Sequence, residues 1–313
     1  MLHILLLSTL LRPAATLAVP GSGTAAATKL PFGRVITGCA VPNSFALTFD
    51  DGPHIFTKTL LDTLKQADTP PATKLPFGRV ITGCAVPNSF ALTFDDGPHI
   101  FTKTLLDTLK QADIKATFFV NGDNFGKIED RKEELHRMMN EGHQIGSHTF
   151  RHPDLRNISE AEVRSEMTLL DAKLKQLVGV TPTYMRPPFF RTNNETLRIL
   201  GEMRYHVINA NIDTLDFENT KPETNDKSFD TYKRLFNNGS ISLMHDVHNT
   251  TVNQLVPNVI SFLQKQCGRT SMTVGECLGD PKENWYRSDT IGGAVVQGPQ
   301  KQTDGKSCGC QAA

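Results

Sequence analysis

"SFALTFDDGPHIFTKTLLDTLKQADIKATFFVNG", residues 89–122, decides the fold. "FALTFDD" reads as a buried strand, "TKTLLDTLKQAD" as a helix with apolar positions three and four apart, and "KATFFVNG" as a second strand. Two strands joined through a helix make a parallel crossover unit. The pattern continues through helix "RKEELHRMMNEG", closed by Gly142, strand "HQIGSHT", and a long amphipathic helix from Ser159 to about Gly179. Then come "TYMRPPF", "NETLRILGEM", "YHVINANID", "SFDTYKRLFN", "SISLMHD", "TVNQLVPNVISFLQKQ" and "SMTVGEC". That makes seven strand candidates, each but the last followed by a helix. Strict alternation at this length predicts an α/β fold, a closed or nearly closed β/α barrel.

The opening stretch is partly duplicated. Residues 27–68 and 72–113 are identical over 42 residues at an offset of 45. Repeat architectures carry diverged copies, usually three or more, so two perfect copies mark a very recent duplication or an error of sequence assembly, not a solenoid. Only one copy can supply the first strand and helix. If the first did, the second would become a 45-residue insertion, and closing such a loop costs about (3/2)RT ln 45, or about 3.4 kcal/mol, plus a constant. Packing terms cancel between identical copies, so loop closure favours the second by about two orders of magnitude.

Composition narrows the class. Lys+Arg and Asp+Glu stand at 33 each in 313 residues, which suggests neither nucleic acid nor an anionic membrane as partner. "MLHILLLSTLLRPAATLAVPG" has the apolar run and small residues of a secretory signal peptide, too short to span a bilayer, and no later segment is long and apolar enough to do so. The sequons at Asn157, Asn194, Asn238 and Asn249 agree with secretion. The expected division is a signal peptide over 1–18, an N-terminal extension over 19–71 holding the surplus copy, a catalytic domain over 72–290, and a flexible tail over 291–313. Six cysteines, one of them (Cys39) the duplicate of Cys84, invite disulfides, and their spacing is not that of a zinc site.

In parallel β/α folds, reacting groups gather where strands end. The strand ends here carry Asp95-Asp96, His148 with His152, Arg186-Pro-Pro-Phe189, Asp213 with Asp216, and His245-Asp246. Each has a bland reading: Asp-Asp-Gly-Pro as a turn that caps the next helix, the histidines as surface or packing residues, Arg186 as a surface side chain, His245-Asp246 as a satisfied core pair. Together at one end of one sheet they read as a site. Two imidazoles and one carboxylate would leave positions open on a divalent ion for water and substrate.

Five motifs in order, "TFDDG", "HTFRH", "RPPF", "DTLDF" and "LMHD", resemble those of the polysaccharide deacetylases of carbohydrate esterase family 4, most closely the secreted fungal chitin deacetylases. The resemblance covers roughly residues 79–287 and includes "CLGDP", "NWYR" and "VGVTPTYMRPPF". It implies a distorted (β/α)7–8 barrel forming a single catalytic domain, with the duplicated N-terminal segment outside it. Implied residue by residue are Asp96, His148 and His152 as ligands of a divalent metal, usually Zn2+ with Co2+ as the alternative. Asp95 is then the general base, His245 the general acid, Arg186 the partner of Asp95 and Asp216 the partner of His245. The backbone N–H of Phe189 is implied as an oxyanion donor, Phe217 as a wall of the sugar groove and Leu243 as lining for the acetyl methyl. The resemblance also implies a Cys84–Cys277 disulfide.

Where the family carries Trp, Tyr and Trp, this chain has Phe150, Phe189 and Phe217, each expected to keep an aromatic face for sugar. The expected activity is metal-dependent hydrolysis of N-acetyl groups from N-acetylglucosamine polymers, chitin or chitooligosaccharides, by a secreted monomer acting outside the cell or in its wall. Alternatives are an acetyl xylan esterase of the same family, an inactive carbohydrate-binding or effector protein, and a chain whose duplication prevents productive folding.

Overall fold

A computed structural model describes residues 47–61, 75–266 and 268–287. The expected signal peptide, the tail and Cys39 lie outside the described residues. The chain divides into two units, Met1–Thr59 and Leu60–Ala313. In the first, Leu47 and Phe49 of the first copy are exposed. In the second, their counterparts Leu92 and Phe94 lie in the core.

The core of the second unit is a parallel sheet. Its strands are β1 (Val80–Ile81), β3 (Leu92–Asp95), β4 (Ala116–Val120), β5 (Gln144–Ser147), β6 (Tyr184–Met185), β7 (His206–Ile208), β8 (Ile212–Asp213) and β9 (Ser242–His245), while β2 (Ser89–Phe90) belongs to a separate ribbon. They are ordered β1-β7-β6-β5-β4-β3-β9-β8, with every pairing parallel. One segment, "YHVINANID", supplies strands toward both edges. β7 pairs with β6 and β8 with β9, and only Asn209, Ala210 and Asn211 lie between them. Three residues reach about 10 Å. A flat sheet would hold those strands much farther apart, so the sheet curls on itself into a distorted barrel.

Helices cover the outside: α1 (Thr102–Gln111), α2 (Lys132–Asn140), α3 (Glu160–Val178), α4 (Asn194–Glu202), α5 (Asn225–Phe236) and α6 (Val256–Leu263). The start of α3 is a capping box between Ser159 and Glu162, and it stops at Gly179, whose φ of +76° suits glycine. Along α1, Leu105, Leu106 and Leu109 are fully buried, in keeping with their helical spacing.

Two expectations change. "YHVINANID" forms two strands, β7 and β8, rather than one. "SMTVGEC" is strand only at β10 (Thr270–Ser271), which pairs with β2, and Val274–Cys277 is a short helix, α7. A Thr273–Glu276 capping box ends the strand tendency there. The α7 amides of Val274 and Gly275 donate to Thr117 Oγ1 and Gln144 Oε1, both at 2.9 Å, so its first turn satisfies buried side chains of β4 and β5. The Cys84–Cys277 disulfide joins α7 to the segment before β2 across 193 residues of sequence. A cross-link of that span stabilises a fold by about 2–5 kcal/mol.

Candidate active site

Among the largest fully buried side chains of the described residues, one is charged: Arg186, with no exposed surface. A buried cation demands partners. Its Nη1 donates to Asp95 Oδ1 at 2.7 Å and to Thr93 Oγ1 at 2.6 Å, and its Nε donates to the Ile208 carbonyl at 3.2 Å. Its guanidinium lies 4.3 Å from the Phe119 ring centroid. These contacts draw β3, β4, β6 and β7 together beneath the C-terminal ends of the strands. Burial pushes the Asp95 pKa up, and Arg186 opposes that without reversing it.

Asp95 stands in register with His245 of the neighbouring strand β9. His245 Nδ1 lies 2.8 Å from Asp216 Oδ1; a carboxylate can only accept, so Nδ1 carries a proton and Nε2 is the other protonation site. Asp216 is fully buried, and its Oδ2 also accepts the His245 amide and the Thr251 hydroxyl, each at 2.7 Å. Burial resists charging of His245, but Asp216, with Asp96 and Asp95 beyond it, raises its pKa to about 9.

Beside this pair sits an acid–imidazole cluster. Asp96 Oδ1 is 3.3 Å from His152 Nε2 and 3.6 Å from His148 Nε2, and one ligand atom from each of the three residues falls within 4.8 Å of the others. His148 Nδ1 donates to the Arg186 carbonyl at 2.7 Å, which turns the Nε2 lone pair toward Asp96. Burial holds both imidazoles neutral, His148 well below its ordinary range and His152 down to about 4. It also raises Asp96 to about 6, the mark of a carboxylate short of positive charge. Neutral imidazoles with free lone pairs and an undercompensated carboxylate are the donor set that a divalent cation satisfies, so these residues fit a metal.

The local backbone is strained where this cluster is built. Asp96, Thr149, His152 and Phe189 have φ of +73°, +70°, +61° and +58°. Left-handed conformations cost non-glycine residues about 1–2 kcal/mol each and collect at functional sites. Around Thr149 and Asp96 the chain is tied from outside: Asn121 Nδ2 donates to the carbonyls of His148 at 2.6 Å and Thr149 at 2.9 Å, and Asn124 Nδ2 approaches Asp96 Oδ1 at 3.4 Å.

The remaining candidates surround the cluster unequally. Phe189 is exposed with its ring 4.6 Å from that of His152, and Phe217 is exposed with its ring 5.5 Å from that of His245. Leu243 is buried on β9, next to Asp213 of β8. Asp213 accepts the Leu215 amide at 3.0 Å. Phe150 departs from expectation: it packs against the hydrophobic core, sits over Gly122, and has the Arg151 guanidinium 4.8 Å from its ring centroid. Its ring is thus occupied by protein. Thr93 opens the "TFDDG" motif but has no role assigned to it there, and Asn121 and Thr251 belong to the site without any mark in the sequence, because nothing local distinguishes them from other polar residues.

A sequence profile of the polysaccharide deacetylase family matches residues 82–208. The chain is 49% identical over 261 residues to a chitin deacetylase of Pestalotiopsis sp, covering 83% of this chain and 72% of that one. It is 42% identical over 291 residues to a chitin deacetylase of Colletotrichum lindemuthianum, covering 90% of this chain and 99% of that one. The solved structure of the chitin deacetylase from that fungal pathogen superposes with a TM-score of 0.66 at 43% identity, covering 68% of this chain and 97% of that chain.

Proposed function

The chain belongs to the polysaccharide deacetylase family, and from that premise we propose that it hydrolyses the N-acetyl groups of N-acetylglucosamine units in chitin or chitooligosaccharides, giving glucosamine units and acetate. The observation that carries this reading is the convergence of three sets at one end of the barrel: Asp96–His148–His152, Asp95–Arg186 and His245–Asp216.

Asp96, His148 and His152 would hold a divalent cation, and zinc suits a set of two imidazoles and one carboxylate. When bound, the cation polarises the acetyl carbonyl and lowers the pKa of water toward neutrality. Asp95 is the base that takes a proton from the attacking water. Its burial raises its basicity, and Arg186 keeps its orientation and offsets the cost of its charge. His245 gives its Nε2 proton to the departing nitrogen, since an amine leaves only when protonated. Asp216 fixes the His245 ring and keeps that proton in place at neutral pH. The Phe189 amide is an oxyanion donor, an interaction worth about 3–4 kcal/mol in the transition state. The exposed rings of Phe189 and Phe217 are faces for sugar, and Leu243 lines the acetyl pocket.

We place the deacetylase domain at 72–290 and the chain outside the cell, as a monomer. The Cys84–Cys277 disulfide and the exposure of Asn157, Asn194, Asn238 and Asn249 support an oxidising, secretory setting. Among the described residues no helix is long and apolar enough to cross a membrane.

The substrate reading is tested by acetate release from a chitin tetramer compared with acetylated xylan. The proposal expects a kcat/KM at least about tenfold higher on the tetramer, a difference of about 1.4 kcal/mol in transition-state binding. A preference for acetylated xylan would replace it with the esterase reading.

A further inference from the structure

Behind Asp96 lies a carboxylate that the proposed reaction does not use. Asp246 follows His245 at the end of β9 and is fully buried. His245 already has Asp216 as its partner. Asp246 faces elsewhere: its Oδ2 accepts the hydroxyl of Thr102, the first residue of α1, and Thr102 is fully buried too. The same Thr102 oxygen accepts the His99 amide at 2.7 Å.

What the carboxyl rests against is the turn that carries Asp96. A Cβ built on Gly97 would overlap both Asp246 carboxyl oxygens, so the carboxyl fills the space where any other side chain would stand. On its other flank the turn is tied by the Asn121 amide, which donates to the Gly97 carbonyl at 2.9 Å, and by Asn124 against Asp96. Asp96 itself is left-handed, with φ of +73°, a conformation that relaxes unless its surroundings hold it. Burying an ionisable group beside a metal ligand is costly, and packing alone would be met by an apolar residue of that size.

We propose that Asp246 is a positioning residue: with Thr102 it braces the Asp96–Gly97 turn from below and thereby sets the direction in which the Asp96 carboxylate meets the metal. This rests on the reading of Asp96 as a metal ligand.

The test is zinc affinity, measured by competition with a chromogenic chelator on the metal-stripped full chain, alongside thermal unfolding of the metal-free forms. Asp246→Ala is expected to weaken zinc binding by about 10–100-fold, the range for outer partners of metal ligands. Asp246→Asn keeps an acceptor for Thr102 and is expected to retain most of the affinity. Thr102→Val keeps the shape and loses the hydroxyl, so it is expected to weaken zinc binding; it decides the matter if Asp246→Ala does not fold. Unchanged zinc affinity in both Asp246→Ala and Thr102→Val would overturn the proposal. So would equal loss in Asp246→Asn and Asp246→Ala that only follows lost thermal stability. Asp96→Asn separates the two levels: parental affinity in that variant would remove the metal reading itself and this inference with it.

Discussion

Asp95→Asn is expected to lower kcat/KM by about 10²–10⁴-fold, and Asp50→Asn to leave it within about twofold of the parent, since a positioned base contributes about 10²–10⁴ and an exposed aspartate without that role contributes none. The two aspartates occupy identical sequence, so the contrast comes from structure alone. Asp95 ends a buried strand, 2.7 Å from the guanidinium of Arg186 and in register with His245. Asp50 is exposed. Asparagine at 95 removes the base and leaves Arg186 without its counter-ion, a break that costs about 3–5 kcal/mol in a buried pair. That penalty is similar to the loop-closure term favouring the second copy. The Cys84–Cys277 bond ties the second copy to α7, and once it has formed the first copy does not take the place of a damaged second one. The double variant Asp50→Asn/Asp95→Asn is therefore expected to match Asp95→Asn in residual activity. A dead Asp50→Asn enzyme would show that the first copy does the work.

His245→Ala is the second large effect: a loss of about 10²–10⁴ in kcat on chitooligosaccharide, with a much smaller loss on an acetyl ester. The difference arises in the leaving group, because an alkoxide departs far more readily than an amide anion. The parent enzyme's kcat is expected to fall as pH rises through about 9, where His245 loses its proton. The direction follows from the role: a group with a raised pKa is charged below that value, and an acid must be charged to act. A cation beside Asp96 removes that carboxylate's contribution, and the hydrogen bond to Asp216 then carries most of the elevation. In Asp216→Asn the alkaline limb should move to lower pH, since burial, the opposing influence, is left. An unmoved limb would assign the alkaline ionisation to another group.

Much of this site is legible in the amino-acid sequence. Alternation locates the strands, and the strand ends hold Asp95, Asp96, His148, His152, Arg186 and His245, because parallel β/α folds place chemistry there. Less visible is anything that depends on partners distant in the chain. The Asp246–Thr102 contact spans 144 residues of sequence and the Asp216–Thr251 contact spans 35, and a hydroxyl carries no mark of which carboxylate it meets. The split of "YHVINANID" into β7 and β8 follows from barrel closure, which no local window contains. "SMTVGEC" does hold a readable signal: Thr273 followed three residues later by Glu276 is a helix start, and the β-branched residues beside it obscure it. Phe150 reads as a sugar-facing ring in its motif, which offers no view of the distant Gly122 that the ring packs over.

The proposed chemistry depends most on the pairing of a divalent cation with Asp96, His148 and His152, and one measurement bears on it directly: acetate release from a chitin tetramer by the chain before chelation, after chelation, and after zinc is returned. The predicted result is activity that falls by at least about 10³-fold on stripping and recovers with stoichiometric zinc, consistent with several kcal/mol of charge stabilisation supplied by the cation. Full activity in a chain shown to be metal-free would contradict it.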